Sequence, residues 1–187
     1  MIAAKLAYAK LLTHITVFAS AGGVLAVFYP HVLTPTGMIE NSPVVAKMVE
    51  CEISVGDRFA GAGELREAIG AYETAASLSR AQGQLPTLPM RRIANALYYK
   101  SQFRAALRTL EQLADEAARL GDTEAEFWAV IDAAQMARLA RADRRVQQLT
   151  ERAVRLLDSG RLENREYLRA KMEDTDMTAF APHLESR

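Results

Sequence analysis

Three glycines set the frame for this chain. Gly83, Gly121 and Gly160 each follow a run of helix-forming sequence, and the steps from 83 to 121 and from 121 to 160 are 38 and 39 residues. A glycine just past a helix accepts the left-handed backbone with which helices commonly end. A stop signal that recurs at so regular an interval marks a repeated unit, each long enough for two helices and their turns. Such units bury their apolar faces only by stacking, so the spacing predicts an all-α, open stack, a short α-solenoid. Composition agrees. Half the residues are hydrophobic but only 7% are aromatic, and alanine dominates, which suits closely packed helices.

The first unit is the best formed. In Val55–Ala75, Gly56 and Phe59 place a notch and a ring on one helix face. Gly63 breaks the pattern, and Ala68, Tyr72 and Ala75 then repeat a small–large–small stripe. Helices cross closely where a small residue on one faces a bulky residue on the other. The stretch therefore reads as an antiparallel helical hairpin with a tight glycine turn. It resembles the tetratricopeptide repeat (TPR), with Val55, Gly56, Phe59, Ala68 and Tyr72 on matching positions. Glu52 stands where the family has tryptophan and Arg80 where it has proline.

The resemblance covers about residues 44–159. The first pair runs from Val44 to Ala62 and from Glu64 to Ala81, opened by Ser42 as cap and Pro43 as first helical residue. The second starts at Pro89. There Ala94, Leu97, Ala106 and Leu110 replace Gly56, Phe59, Ala68 and Tyr72, and the turn near Ser101-Gln102 lacks glycine. The third opens on Thr123–Glu126, a capping-box pattern, and carries Ala134, Ala137, Val146 and Ala153. The interval exceeds the family's usual length of about 34 residues, which implies longer helices or loops. Glu163–Met172 reads as a capping helix over the last apolar face, and 173–187 as an extended tail without periodicity.

The N-terminal region differs in kind. From Leu11 to Ile39 there is no Asp, Glu, Lys or Arg, and Leu11–Tyr29 is long enough to cross a bilayer, for which roughly 20 residues are needed. Residues 1–30 are read as a single transmembrane helix and 31–43 as a linker to a repeat domain spanning 44–172. Lys5 and Lys10 precede the span, which puts the N-terminus in the cytoplasm and the repeats in the periplasm or exterior, at an inner (cytoplasmic) membrane. Two alternatives stand beside this one. Ala19-Ser20-Ala21 has the form of a signal-cleavage site, which would release a soluble periplasmic binding module, and the segment also fits a buried helix of a soluble protein. Within the span, Ala19, Gly23 and Ala26 form a small-residue stripe on which a partner's transmembrane helix could pack.

Chemistry is sparse. His14, His31 and His183 are scattered, and the single Cys51 has no histidine or second cysteine at ligand spacing. No GxSxG is present, and Gly61-Ala62-Gly63 lacks the strand and the Lys-Ser/Thr of a phosphate loop. The expectation is no enzyme, no cofactor and no metal. With Lys+Arg 23 against Asp+Glu 23, no nucleic-acid partner is expected either. The resemblance implies that the first helix of each pair lines a peptide-gripping groove. Its candidates are Glu50 and Asp57, then Arg91, Asn95 and Tyr98, then Trp128, Gln135 and Arg138. Asp57 is ill placed for a carboxylate clamp, and Trp128, next to Phe127, is as readily a core residue. Arginines crowd the third turn (Arg138, Arg141, Arg144, Arg145, Arg152, Arg155), with acidic residues gathered before it. Such clusters grip carboxylates or lipid phosphates, but more often they pair with neighbouring helices or are solvated.

The expected protein is a non-catalytic, membrane-anchored scaffold. Its partners would be membrane lipid and the other subunits of a membrane complex, for which a bacterial energy-transducing complex, respiratory or photosynthetic, and an envelope machine both fit.

Overall fold

The computed structural model describes residues 42–174, which fold into seven α-helices with no strand among the described residues. The span at 11–29 with Ala19, Gly23 and Ala26, the linker to 41 and the tail beyond 174 lie outside them. No described helix is long and apolar enough to cross a membrane. The helices are α1 (Pro43–Gly61), α2 (Leu65–Ala81), α3 (Thr87–Tyr99), α4 (Phe103–Leu120), α5 (Thr123–Leu139), α6 (Asp143–Asp158) and α7 (Arg165–Asp174). Each packs on the helix before it and the helix after it. The α1 and α2 axes run antiparallel, because the Gln82 side chain at the end of α2 donates to the Ser42 carbonyl at the start of α1, 2.9 Å away.

Gly56 is where these two helices touch. It is the one buried residue of α1, and a Cβ there would lie 2.7 Å from Cδ1 of the Tyr72 ring. The ring cannot swing away. Tyr72 is buried and its hydroxyl donates to Asp57 at 2.7 Å. In the second hairpin Ala94 and Leu110 hold the same two positions, both buried, so a wider notch meets a smaller plug. In the third the positions fall to Ala134 and Thr150. Thr150 is fully buried and its hydroxyl has no hydrogen-bond partner among the described residues, whereas Thr74 and Thr109 each bond the carbonyl four residues back.

The turns follow one rule. Gly63, Ser101 and Arg141, at equivalent places between the two helices of each hairpin, have φ of 81°, 58° and 55°. Left-handed backbone costs a non-glycine residue about 1 kcal/mol, yet only the first turn uses glycine. Gly83, Gly121 and Gly160 are left-handed as the sequence spacing predicts, with φ of 71°, 75° and 73°.

Some boundaries shift from the sequence reading. The second hairpin begins at Thr87, two residues before Pro89. Ser42 makes no side-chain cap. The third hairpin is capped not by Thr123 but by Asp122, whose carboxylate accepts from the Ala125 N–H at 2.9 Å. The last helix starts at Arg165 rather than Glu163, and Leu168 and Met172 close the main core alongside Leu162.

Replacing Gly56 with Ala is expected to destabilise the domain by about 1 kcal/mol, overpacking outweighing the gain in helix propensity. Adding Tyr72→Leu, which copies the second hairpin, should make the double variant more stable than the sum of the singles implies. Urea unfolding of the four proteins measures this coupling, and strict additivity would refute the contact. Thr150→Val, which removes the orphan hydroxyl, should raise stability by about 1 kcal/mol in the same assay.

Candidate functional site

Helices α3 and α5 share one open face. Leu88, Arg91, Asn95 and Tyr98 recur at helical spacing along α3, and Asp132, Gln135, Met136 and Leu139 do so along α5. Together with Arg92, Ala94, Leu110 and Arg138 they line a groove of about 950 Å³. Five of the eight sequence candidates lie here: Arg91, Asn95, Tyr98, Gln135 and Arg138. Glu50 and Asp57 line a second, shallower hollow on α1 with Ile53, Ser54 and Arg58, and Leu88 borders both. Trp128 lines neither. It packs edge-on against Phe127, ring centroids 5.7 Å apart, and leans on the core, which is the alternative its neighbour suggests.

The groove mixes apolar and ionic groups. Leu88, Tyr98 and Leu139 are 51%, 40% and 46% exposed, high for large apolar side chains sharing one concavity. Tyr98 is propped from behind by Tyr99 and Phe103, at 5.4 and 5.8 Å between ring centroids. Arg91 is tied to Asp132 across the floor at 2.8 Å. Burial raises the Asp132 carboxyl above its ordinary value, and the Arg91 charge offsets this only in part. Asp57 is a structural acceptor, taking the Tyr72 hydroxyl and pairing with Arg92 at 3.3 Å. Burial and that bond push the Tyr72 phenol up to about 12.

Leu88, Arg92, Asp132, Met136 and Leu139 were not picked out from the sequence. The signal was present for four of them: Leu88, Arg92, Asp132 and Leu139 each lie three or four residues from a residue that was named, on the same helical stripe, and Met136 adjoins Gln135.

On the other helix row, ion pairs join one hairpin to the next. Arg80 of α2 forks onto Glu116 of α4 at 2.9 and 3.0 Å. Glu111 and Asp115 of α4 hold Arg145 and Arg152 of α6, and Arg152 also binds Glu126 at 2.8 Å. Arg145 and Arg152 of the arginine cluster are thus hairpin-to-hairpin ties. Burial would raise the Glu116 carboxyl, but hydrogen bonds from Arg80 and Gln112 outweigh it and hold it below its ordinary value.

No described trio of His, Cys, Asp or Glu could hold a metal ion. Compared with known proteins, the chain matches no protein-family model and no curated protein.

The two carboxylates have opposite consequences. A lowered pKa means that the fold favours the ionised form of Glu116. Its contribution is full above the ordinary value of 4.5 and fades as pH falls through the lowered one. Asp132 is raised, so its ionised form burdens the fold at neutral pH, and protonation in acid relieves it. Glu116→Gln should therefore lose about 1 kcal/mol at pH 7, a loss that shrinks at low pH, while Asp132→Asn should be neutral or stabilising. Urea unfolding across pH would refute the assignment if Asp132→Asn were the more damaging.

Proposed function

We propose that this chain is a non-catalytic, membrane-anchored scaffold of the tetratricopeptide type, which stabilises or assembles a membrane protein complex by gripping a partner segment in the α3–α5 groove. The observation that carries this reading is the groove itself. Three large apolar side chains stand exposed in one concavity between polar groups able to fix orientation, the composition of a protein-binding site. The repeat assignment draws support from the recurrence of left-handed turns at 63, 101 and 141 and at 83, 121 and 160, and from the Gly56–Tyr72 contact. The anchor rests on the uncharged stretch Leu11–Tyr29, and the extracytoplasmic placement on Lys5 and Lys10.

Tyr98→Ala with Leu139→Ser removes the apolar grip while leaving the Arg91–Asp132 pair in place. Co-purification of companion subunits in mild detergent should fall at least tenfold, hot-spot truncations costing about 2 kcal/mol or more, with the melting temperature within a few degrees of the parent. Undiminished capture would move the interface elsewhere. Carbonate washing of membranes, followed by intact-mass measurement, tests the anchor. A protein that washes off beginning at Gly22 would instead be the released soluble module.

A further inference from the structure

Arginines are spread over the whole domain, and several within the helices, among them Arg66, Arg108 and Arg155, pair with no carboxylate among the described residues. Arg80, Arg91, Arg92, Arg145 and Arg152, set within the helices, each pair with a carboxylate on another helix. Lys100, Arg104, Arg141 and Arg144, set at the inner turns of the second and third hairpins, pair with none among the described residues. These two turns lie on one edge, since Tyr98 before the first and Arg138 and Leu139 before the second border the same groove. Tyr99, 67% exposed, and half-exposed Leu139 stand on that edge beside the unpaired cations. The opposite edge mixes signs, with Asp122, Glu124, Asp158 and Glu163 beside Arg119, Arg161 and Arg165.

Local structure does not account for these cations. Arg104 and Arg144 are second residues of α4 and α6, where the helix dipole disfavours positive charge. The first turn of α4 has no acidic residue and that of α6 has only Asp143 against Arg144 and Arg145, and neither Gln102 nor Ala142 caps its helix with a side chain. The exposed helix N-termini therefore add to the positive field of the arginines. Arg141 also occupies the left-handed turn position that Gly63 fills in the first hairpin. Arginine at that position places a charge at the turn at a backbone cost that glycine avoids.

We propose that this edge, carried by Lys100, Arg104, Arg141 and Arg144 with Tyr99 and Leu139, rests on the anionic headgroup layer of a phospholipid membrane. Unpaired cations in two rows meet a diffuse layer of phosphates, and tyrosine and leucine reach the boundary between headgroups and acyl chains. A nucleic-acid surface fits less well, because the chain as a whole has no basic surplus. The proposal stands on the chemistry of the edge, whether or not residues 11–29 span a bilayer.

The test uses the full-length chain with Cys51→Ser and one fluorescent label, at Ser101→Cys on this edge or at Gln84→Cys on the opposite one. The vesicles are of phosphatidylcholine, alone or with phosphatidylglycerol, and carry a headgroup nitroxide quencher. Quenching at 101 should exceed that at 84 only when phosphatidylglycerol is present, and should vanish in about 1 M salt, where screening acts over about 3 Å. Lys100→Gln, Arg104→Gln and Arg144→Gln should each weaken the contact about fivefold, from about 1 kcal/mol per basic residue at the surface. Arg141→Gly separates folding from binding, since it should weaken the contact while holding or raising the melting temperature. Equal quenching at 101 and 84, or indifference to phosphatidylglycerol, overturns the proposal. Retention on pure phosphatidylcholine vesicles reports the N-terminal span alone, so the two readings fail separately.

Discussion

Close approach of helix backbones is the constraint on which this domain depends. Fourteen of its 29 buried hydrophobic residues are alanine, so the helices meet with little side chain between them. Alanine buries little area, and apolar burial contributes roughly 25 cal/mol per Å². Many such contacts therefore give shape rather than large stabilisation. The few bulky plugs, Tyr72, Leu110, Leu113 and Phe127, must fit the notches opposite them closely, because thin walls leave no flexible side chain to absorb a misfit.

That economy of bulk explains the polar ties between hairpins. Each joins a helix to its counterpart in the next hairpin: Asp57 to Arg92, Arg91 to Asp132, Arg80 to Glu116, Glu111 to Arg145 and Asp115 to Arg152. Exposed ion pairs contribute little, but the fork of Arg80 onto the mostly buried Glu116 has the two-pronged geometry that sets register as well as energy. The zero net charge is a sum over paired and unpaired groups alike. It is an internal balance, and it hides an edge with a sign of its own.

Much of this was legible in the sequence. Helix number, approximate boundaries, the Gly56–Tyr72 notch and the three glycine stops all follow from local rules, spacing and small–large alternation. Five of the candidates that the repeat resemblance implied, Arg91, Asn95, Tyr98, Gln135 and Arg138, line the α3–α5 concavity. What escaped depended on partners distant in the chain. Asp57 reads as a groove residue until Tyr72 and Arg92 are seen to hold it. Trp128 reads as a groove residue until it is seen to pack on Phe127 and lean on the core. The left-handed Ser101 and Arg141 carried no glycine to announce them; only their alignment with Gly63 could have done so.

The main packing of each helix falls on its chain neighbours, with ion pairs to the helix two along, and this has a consequence for how disturbances travel. Such a domain behaves as a row of coupled units rather than as one block. A ligand that stiffens the α3–α5 groove braces units on both sides of α4 at once, while fraying at α7, held through Leu168 and Met172, must pass through α6 before it reaches them. Correlation along the row decays with distance. The middle of the array is where occupancy is felt most widely, and that is where the groove lies.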